Sequence, residues 1–221
     1  PKITSNNENF WFQEIREFDK SKLNKLISKY CKTDLSQYPN WAILKTLKIE
    51  DIWKIIDEYE KQNIHIAKKH YNMNNEQLKE VHASKIVKIG AHTLNHPILR
   101  NESNDVSKKE ITDSVRNLET ILNDKVHYFA YPNGIPGLDF NEREVSFLKE
   151  NGIKLAFSTE SRNLSIGFSP FEIPRYGLSL GSDAFIKAKL LLGRYWDTIK
   201  NLKSKSEARI RKEIQTKISL G

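Results

Sequence analysis

Four short apolar runs, at 86–89, 126–131, 154–159 and 171–176, are separated by stretches of helical period. No other feature restricts the fold as strongly. Runs of this length bounded by turn residues read as buried strands. Strands that alternate with amphipathic helices pair in parallel, because each connection must cross back over the sheet. The spacing suits a sheet curled toward a barrel, with reactive side chains at the C-terminal strand ends. His92, Pro132-Asn133 and Thr159 all fall at such ends. The expected fold class is α/β, a partial or distorted (β/α) barrel.

The intervening segments carry their own signals. Phe10, Phe12, Ile15, Leu23, Leu26 and Ile27 predict a helix over 10–31, and Ile52, Trp53, Ile56 and Tyr59 a second over 50–62. Trp11, Trp41, Trp53 and Cys31 read as core or cover residues. A short helix over 75–83 leads to the first apolar run. Ser107-Lys108-Lys109-Glu110 has the form of a capping box opening a helix that ends near Leu122. Asn141 is expected to cap a helix that Asn151-Gly152 terminates. From Ser182 a long C-terminal helix is expected, with Phe185, Ala188, Leu192, Trp196 and Ile199 continued by Ile210, Ile214 and Ile218. The chain thus divides into a helical cover region at 1–74, a βα core at 75–181 and a basic amphipathic helix at 182–221.

The candidate chemistry lies in Gly90-Ala91-His92-Thr93-Leu94-Asn95-His96-Pro97. If the chain turns helically after the first strand, His92 and His96 share a face and two imidazoles converge on one ion. Spacing alone also fits a surface or packing pair. His65 and His70 lie in a polar stretch and read as solvent-facing, while His82 and His127 read as structural.

The histidine segment resembles the His-Ser/Thr-x-x-His-Pro motif of the polysaccharide deacetylase family, the NodB-homology domain or carbohydrate esterase family four. Tyr128-Phe129-Ala130-Tyr131-Pro132-Asn133-Gly134 resembles that family's second loop in its Phe-Ala-Tyr-Pro form. The resemblance covers roughly 75–180. It implies a barrel of the deacetylase type, with residues 1–74 as a helical insertion. It also implies a hydrolase that removes N-acetyl groups from a polysaccharide or other N-acetylated glycan, using a divalent metal, usually zinc. His92 and His96 match the metal ligands. Asn133 would supply a backbone N–H to the oxyanion, Tyr131 and Pro132 would shape the substrate loop, and Thr93 would brace the histidine turn. Arg175, in Glu172-Ile173-Pro174-Arg175, stands for the motif arginine that Ala130 replaces; a surface salt bridge is its alternative role. The family's Asp-Asp strand, which carries the base and third ligand, has no counterpart in 1–91, and no late histidine stands for the acid. A chain cut from a longer one is expected on that account, since Pro1 is no initiator residue. The competing expectation is a catalytically inactive glycan-binding or scaffolding relative.

Composition narrows the partners. The net charge is +8, yet residues 184–221 hold ten Lys and Arg against three acids, a balance of +7 that leaves the body nearly neutral. A near-neutral body argues against a nucleic-acid-binding core. The basic segment could touch anionic membrane lipid or polymer, or form a solvated helix face. A single cysteine, Cys31, excludes an internal disulfide framework and is compatible with the cytoplasm or the cell envelope.

Overall fold

A computed structural model describes residues 8–63, 70–175, 177, 180–195, 198 and 206–220. The expected first helix is broken into α1 (Trp11–Glu14), a 3-10 turn (Ile15–Glu17) and α2 (Lys20–Tyr30). Phe18 is extended, and the Asp19 carboxylate accepts the Lys22 N–H at 2.8 Å to restart the helix. The break is pinned from outside: Phe18 stacks on Tyr59 at 4.0 Å, and the Asp19 N–H donates to the Tyr59 hydroxyl at 2.8 Å. Tyr59 sits on α4 (Ile49–Gln62), which follows the five-residue α3 (Asn40–Leu44).

These helices enclose one apolar cluster built from Leu23, Ile27, Leu35, Ile43, Leu44, Ile52 and Ile56. Trp11 joins it, and Trp53 and Cys31 pack at its edge. Trp41 does not: it is 42% exposed, contrary to the expectation of a core or cover role. Ala42, Ile43 and Leu44 already fill the buried side of α3.

The second cluster belongs to the βα portion. It comprises α5 (Asn75–Ala83), α6 (Asn104–Leu122), β1 (Tyr128–Ala130), α7 (Glu142–Glu150) and β2 (Leu155–Phe157). The strands pair in parallel, with Phe129 opposite Ala156, and single parallel bridges join Ala91 to Phe129 and Phe157 to Ile173. The order is therefore the one the alternation predicts. Among the described residues, however, the sheet has two strands in a largely helical chain and does not close into a barrel.

Three local expectations fail for physical reasons. The run at 86–89 is not a strand: Ile86 is 89% exposed, and pairing starts only at Ala91. Among the described residues the run takes part in no strand pairing, and an unpaired strand gains no ladder. The run at 171–176 is reduced to the bridge at Ile173; Tyr176 lies outside the described residues. Helix α6 starts four residues early because Ser103, not Ser107, caps it. Ser107 and Glu110 are buried inside the helix and bond elsewhere. By contrast, Asn141 and Glu144 form a full capping box on α7, and Gly152 ends it at φ +74°.

The C-terminal segment is described as α8 (Asp183–Leu192) with a 3-10 turn (Gly193–Tyr195), and α9 (Glu207–Leu220). Trp196 and Ile199 of the expected stripe, like His65, lie outside the described residues. The later part of the stripe packs: Ile214 is fully buried in the N-terminal cluster, with Ile210 and Ile218 against it. Part of the basic charge is internal, since Arg211 is fully buried and Arg209 pairs with Glu213. Among the described residues, no helix is long and apolar enough to cross a membrane.

Ile214→Ala should lower stability by about 2–5 kcal/mol, the usual cost of emptying a closed apolar site. The half-buried Ile210→Ala should cost less; urea unfolding of both variants measures the difference.

Candidate active site

The histidine segment is built outward from the sheet. The Ala91 N–H donates to the Tyr128 carbonyl at 2.8 Å, and the Ala130 N–H donates to the Ala91 carbonyl at 3.0 Å. Gly90 permits this approach, because a Cβ there would meet the Tyr128 carbonyl oxygen at 3.0 Å. The next residue, His92, is held by its Nδ1, 2.6 Å from the Ala130 carbonyl oxygen. A carbonyl can only accept, so Nδ1 carries the proton and Nε2 keeps its lone pair.

The two imidazoles come together, although not by a helical turn. Thr93 and His96 both adopt left-handed backbone, at φ +62° and +58°. Such conformations cost non-glycine residues roughly 1–3 kcal/mol each and persist only where the surroundings enforce them. Thr93 Oγ1 donates to the His92 carbonyl at 2.6 Å and accepts the His96 N–H at 3.1 Å. Glu110, reaching from α6, accepts the Leu94 and Asn95 N–H groups, each at 2.9 Å, and the Asn95 side-chain amide at 2.6 Å. Trp11 Nε1 donates to the His96 carbonyl at 3.0 Å. The resulting ring centroids of His92 and His96 lie 4.8 Å apart at 75°.

Burial keeps both rings neutral. It pushes His96 down to about 3, with the neighbouring His92 adding to the effect. His92 is lowered chiefly by burial and further by Arg175, against the bond to Ala130. Phe12 and Phe10 stand edge-on to the His96 ring at 4.7 and 5.4 Å. His96 Nδ1 is buried and has no hydrogen-bond partner among the described residues. Two neutral imidazoles, one with a buried unpartnered nitrogen and one with its tautomer fixed, suit the nitrogen donors of a zinc site. Among the described residues, no group of three His, Cys, Asp or Glu side chains completes such a site.

The second loop leaves β1 through Tyr131, which is fully buried, stacks on Phe140 at 3.5 Å and donates its hydroxyl to the Phe171 carbonyl at 3.1 Å. Pro132 is buried, and Asn133 turns left-handed at φ +57°. Thr159 Oγ1 donates to the Asn133 carbonyl at 2.7 Å, tying the loop to the end of β2. The Asn133 side chain accepts from Lys45 Nζ at 2.5 Å and donates to Asp139 at 2.6 Å and Glu207 at 3.0 Å. Asp139 also accepts the Ile135 N–H at 2.7 Å and pairs with Arg211 Nη1 at 2.5 Å. Burial pushes the Asp139 carboxyl up, and Arg211 opposes that push. Arg175 donates from Nε to the Ser158 carbonyl at 2.9 Å.

Sequence reading missed several participants, among them Asp139 on the loop and Glu110 under the histidine turn. Lys45, Glu207 and Arg211 arrive from α3 and α9, far along the chain, and carry no local signal. Phe10 and Phe12 read only as apolar positions of the helix predicted over 10–31. Of the histidines read as structural, His82 pairs with Asp124 at 3.3 Å, and His127 contacts the Gly152 carbonyl at 3.3 Å. His70 is exposed.

Two outcomes follow from this geometry. In the metal-free protein, the unfolded chain binds more protons at His96 than the folded one between about pH 3 and 6.5. Stability from this site is therefore present above that window and lost as pH falls through it. The urea midpoint should drop more for the wild type than for His96→Gln on acidification from about pH 7 to about pH 4.5. Arg211→Met should cost about 3–5 kcal/mol by leaving Asp139 buried and unpaired. The double variant Arg211→Met/Asp139→Asn should recover part of that loss in thermal unfolding.

The comparisons with known proteins bear on this arrangement. A family model described as polysaccharide deacetylase matches residues 43–156, which contain both histidines and the 131–134 loop. Among solved structures, the chain is similar to the Streptococcus pyogenes deacetylase PplD in complex with acetate, at 22% identity over 58% of this chain and 57% of that one, with a TM-score of 0.44. It is also similar to a de-N-acetylase from Aggregatibacter actinomycetemcomitans, at 18% identity over 62% and 68% of the two chains (TM-score 0.43). A polysaccharide deacetylase from Bacillus cereus shares 18% identity over 57% and 42% (TM-score 0.42). The chain spans little more than half the length of the Streptococcus structure. No curated protein matches it. The family match extends over just over half of the chain, and on that match the chain belongs to the polysaccharide deacetylase family, the NodB-homology group.

Proposed function

We propose that the chain serves in the hydrolytic removal of N-acetyl groups from a polysaccharide or another N-acetylated glycan. Family membership supports a hydrolase acting on carbon–nitrogen bonds. The observation that carries the finer reading is the pair of neutral, nearly perpendicular imidazoles of His92 and His96, set on the family's own motif. These two residues would hold a divalent ion, zinc by expectation, and such an ion supplies Lewis acidity and a nucleophile at neutral pH when bound.

The remaining roles belong to the chain itself. The Asn133 N–H, which has no acceptor among the described residues, is the proposed donor to the developing oxyanion. Its left-handed backbone and the Thr159 bond to its carbonyl orient that N–H. Arg175, placed at the end of β2 by the Ser158 carbonyl, adds a positive charge whose field helps keep His92 neutral. Tyr131 and Pro132 support the loop, and Phe10, Phe12 and Trp11 exclude water from the His96 side.

The test is acetate release from N-acetylated oligosaccharides by zinc-loaded protein. Release should occur with the wild type and fall to the buffer control in His92→Ala and in His96→Ala. Equal release from either variant would remove the assignment.

A further inference from the structure

We propose that Trp41, with Lys45 beside it, forms a sugar-stacking subsite at the rim of the candidate active site, taking one pyranose ring of the glycan next to the N-acetylated unit. The inference rests on the deacetylase reading of the site.

The observation begins in α3. Three of its five residues, Ala42, Ile43 and Leu44, are fully buried, which satisfies the packing of so short a helix. Trp41 is left 42% exposed, so the most expensive side chain to leave in water contributes little to the core. Lys45 lies four residues on, along the same face. Its ammonium stands 5.0 Å from the centre of the indole and donates to Asn133 at 2.5 Å and Glu207 at 3.1 Å. One ammonium group therefore bridges the exposed ring and the loop that carries the proposed oxyanion donor.

The chemistry of the rim selects its occupant. A pyranose presents apolar C–H faces and an equator of hydroxyls. An indole face covers the former, while the third N–H of the Lys45 ammonium and the second oxygen of the Glu207 carboxylate offer a donor and an acceptor to the latter. A flat aromatic surface next to a few polar groups suits a sugar ring better than an extended peptide, which would need backbone partners.

The test uses the full chain and a binding readout independent of catalysis. Wild type, Trp41→Ala and Trp41→Phe are titrated with the β-1,4-linked tetrasaccharide of N-acetylglucosamine and with the monomer, by calorimetry and by tryptophan fluorescence. Saturable binding is expected, tighter for the tetrasaccharide. Trp41→Ala should weaken it by about tenfold, as expected for a central aromatic anchor. Trp41→Phe should retain much of the affinity while losing the fluorescence change. In acetate release, the Trp41→Ala loss should fall on KM rather than on kcat. Tetrasaccharide binding that is absent in the wild type, or equal in wild type and Trp41→Ala, overturns the subsite. Acetate release with equal affinities would discard the subsite and leave the deacetylase reading intact. Trp41-dependent binding without any acetate release would do the reverse.

Discussion

The 2.6 Å bond between His92 Nδ1 and the Ala130 carbonyl is the interaction on which the rest depends. It joins the histidine turn to the end of β1, and so to the second loop, which starts at the next residue. It also decides the chemistry of the ring by leaving Nε2 as the free nitrogen. Parallel pairing at Ala91 brings the two backbones close enough, and Gly90 removes the side chain that would keep them apart. Without that contact, neither the spacing of the histidines nor their burial would aim them at a common point.

The site is strained and then over-determined. Thr93, His96 and Asn133 all hold left-handed backbone without being glycine. Each is fastened from more than one direction: the turn by Thr93 Oγ1, Glu110 and the Trp11 indole, and the loop by Thr159, Lys45 and Asp139. The fully buried Asp139–Arg211 pair connects the loop to α9, and Ile214, one turn along, anchors the same helix in the N-terminal cluster. The two apolar clusters are thus linked through the site rather than beside it. The family-matched stretch ends at residue 156, so Glu207 and Arg211 hold its loop from outside that stretch.

Much of this was legible in the sequence wherever the determinants are local. The capping box at Asn141 and the stop at Gly152 are read from a few neighbouring residues, and both stand. The two histidines and the 131–134 loop were found from spacing and resemblance, and the structure brings them side by side. Distant determinants were not legible. The apolar composition of 86–89 says strand, but a strand exists only with a partner along its edge. Ser107 and Glu110 have the spacing of a cap, yet Glu144 takes the Ser107 hydroxyl at 2.8 Å and the histidine turn takes Glu110, which makes them tertiary ties. Lys45 is an ordinary lysine until α9 and the loop are folded around it. Trp41 looked like core because tryptophan usually is, and only the burial of its three successors shows that no room was left.

The central claim is that His92 and His96 together hold a metal ion. X-ray absorption at the zinc edge of the loaded protein tests it most directly. The account predicts two imidazole nitrogens at about 2.0–2.1 Å, the usual zinc–histidine distance, with one ring's scattering lost in His96→Ala. A first shell without imidazole, or one unchanged in His92→Ala and His96→Ala, would contradict it.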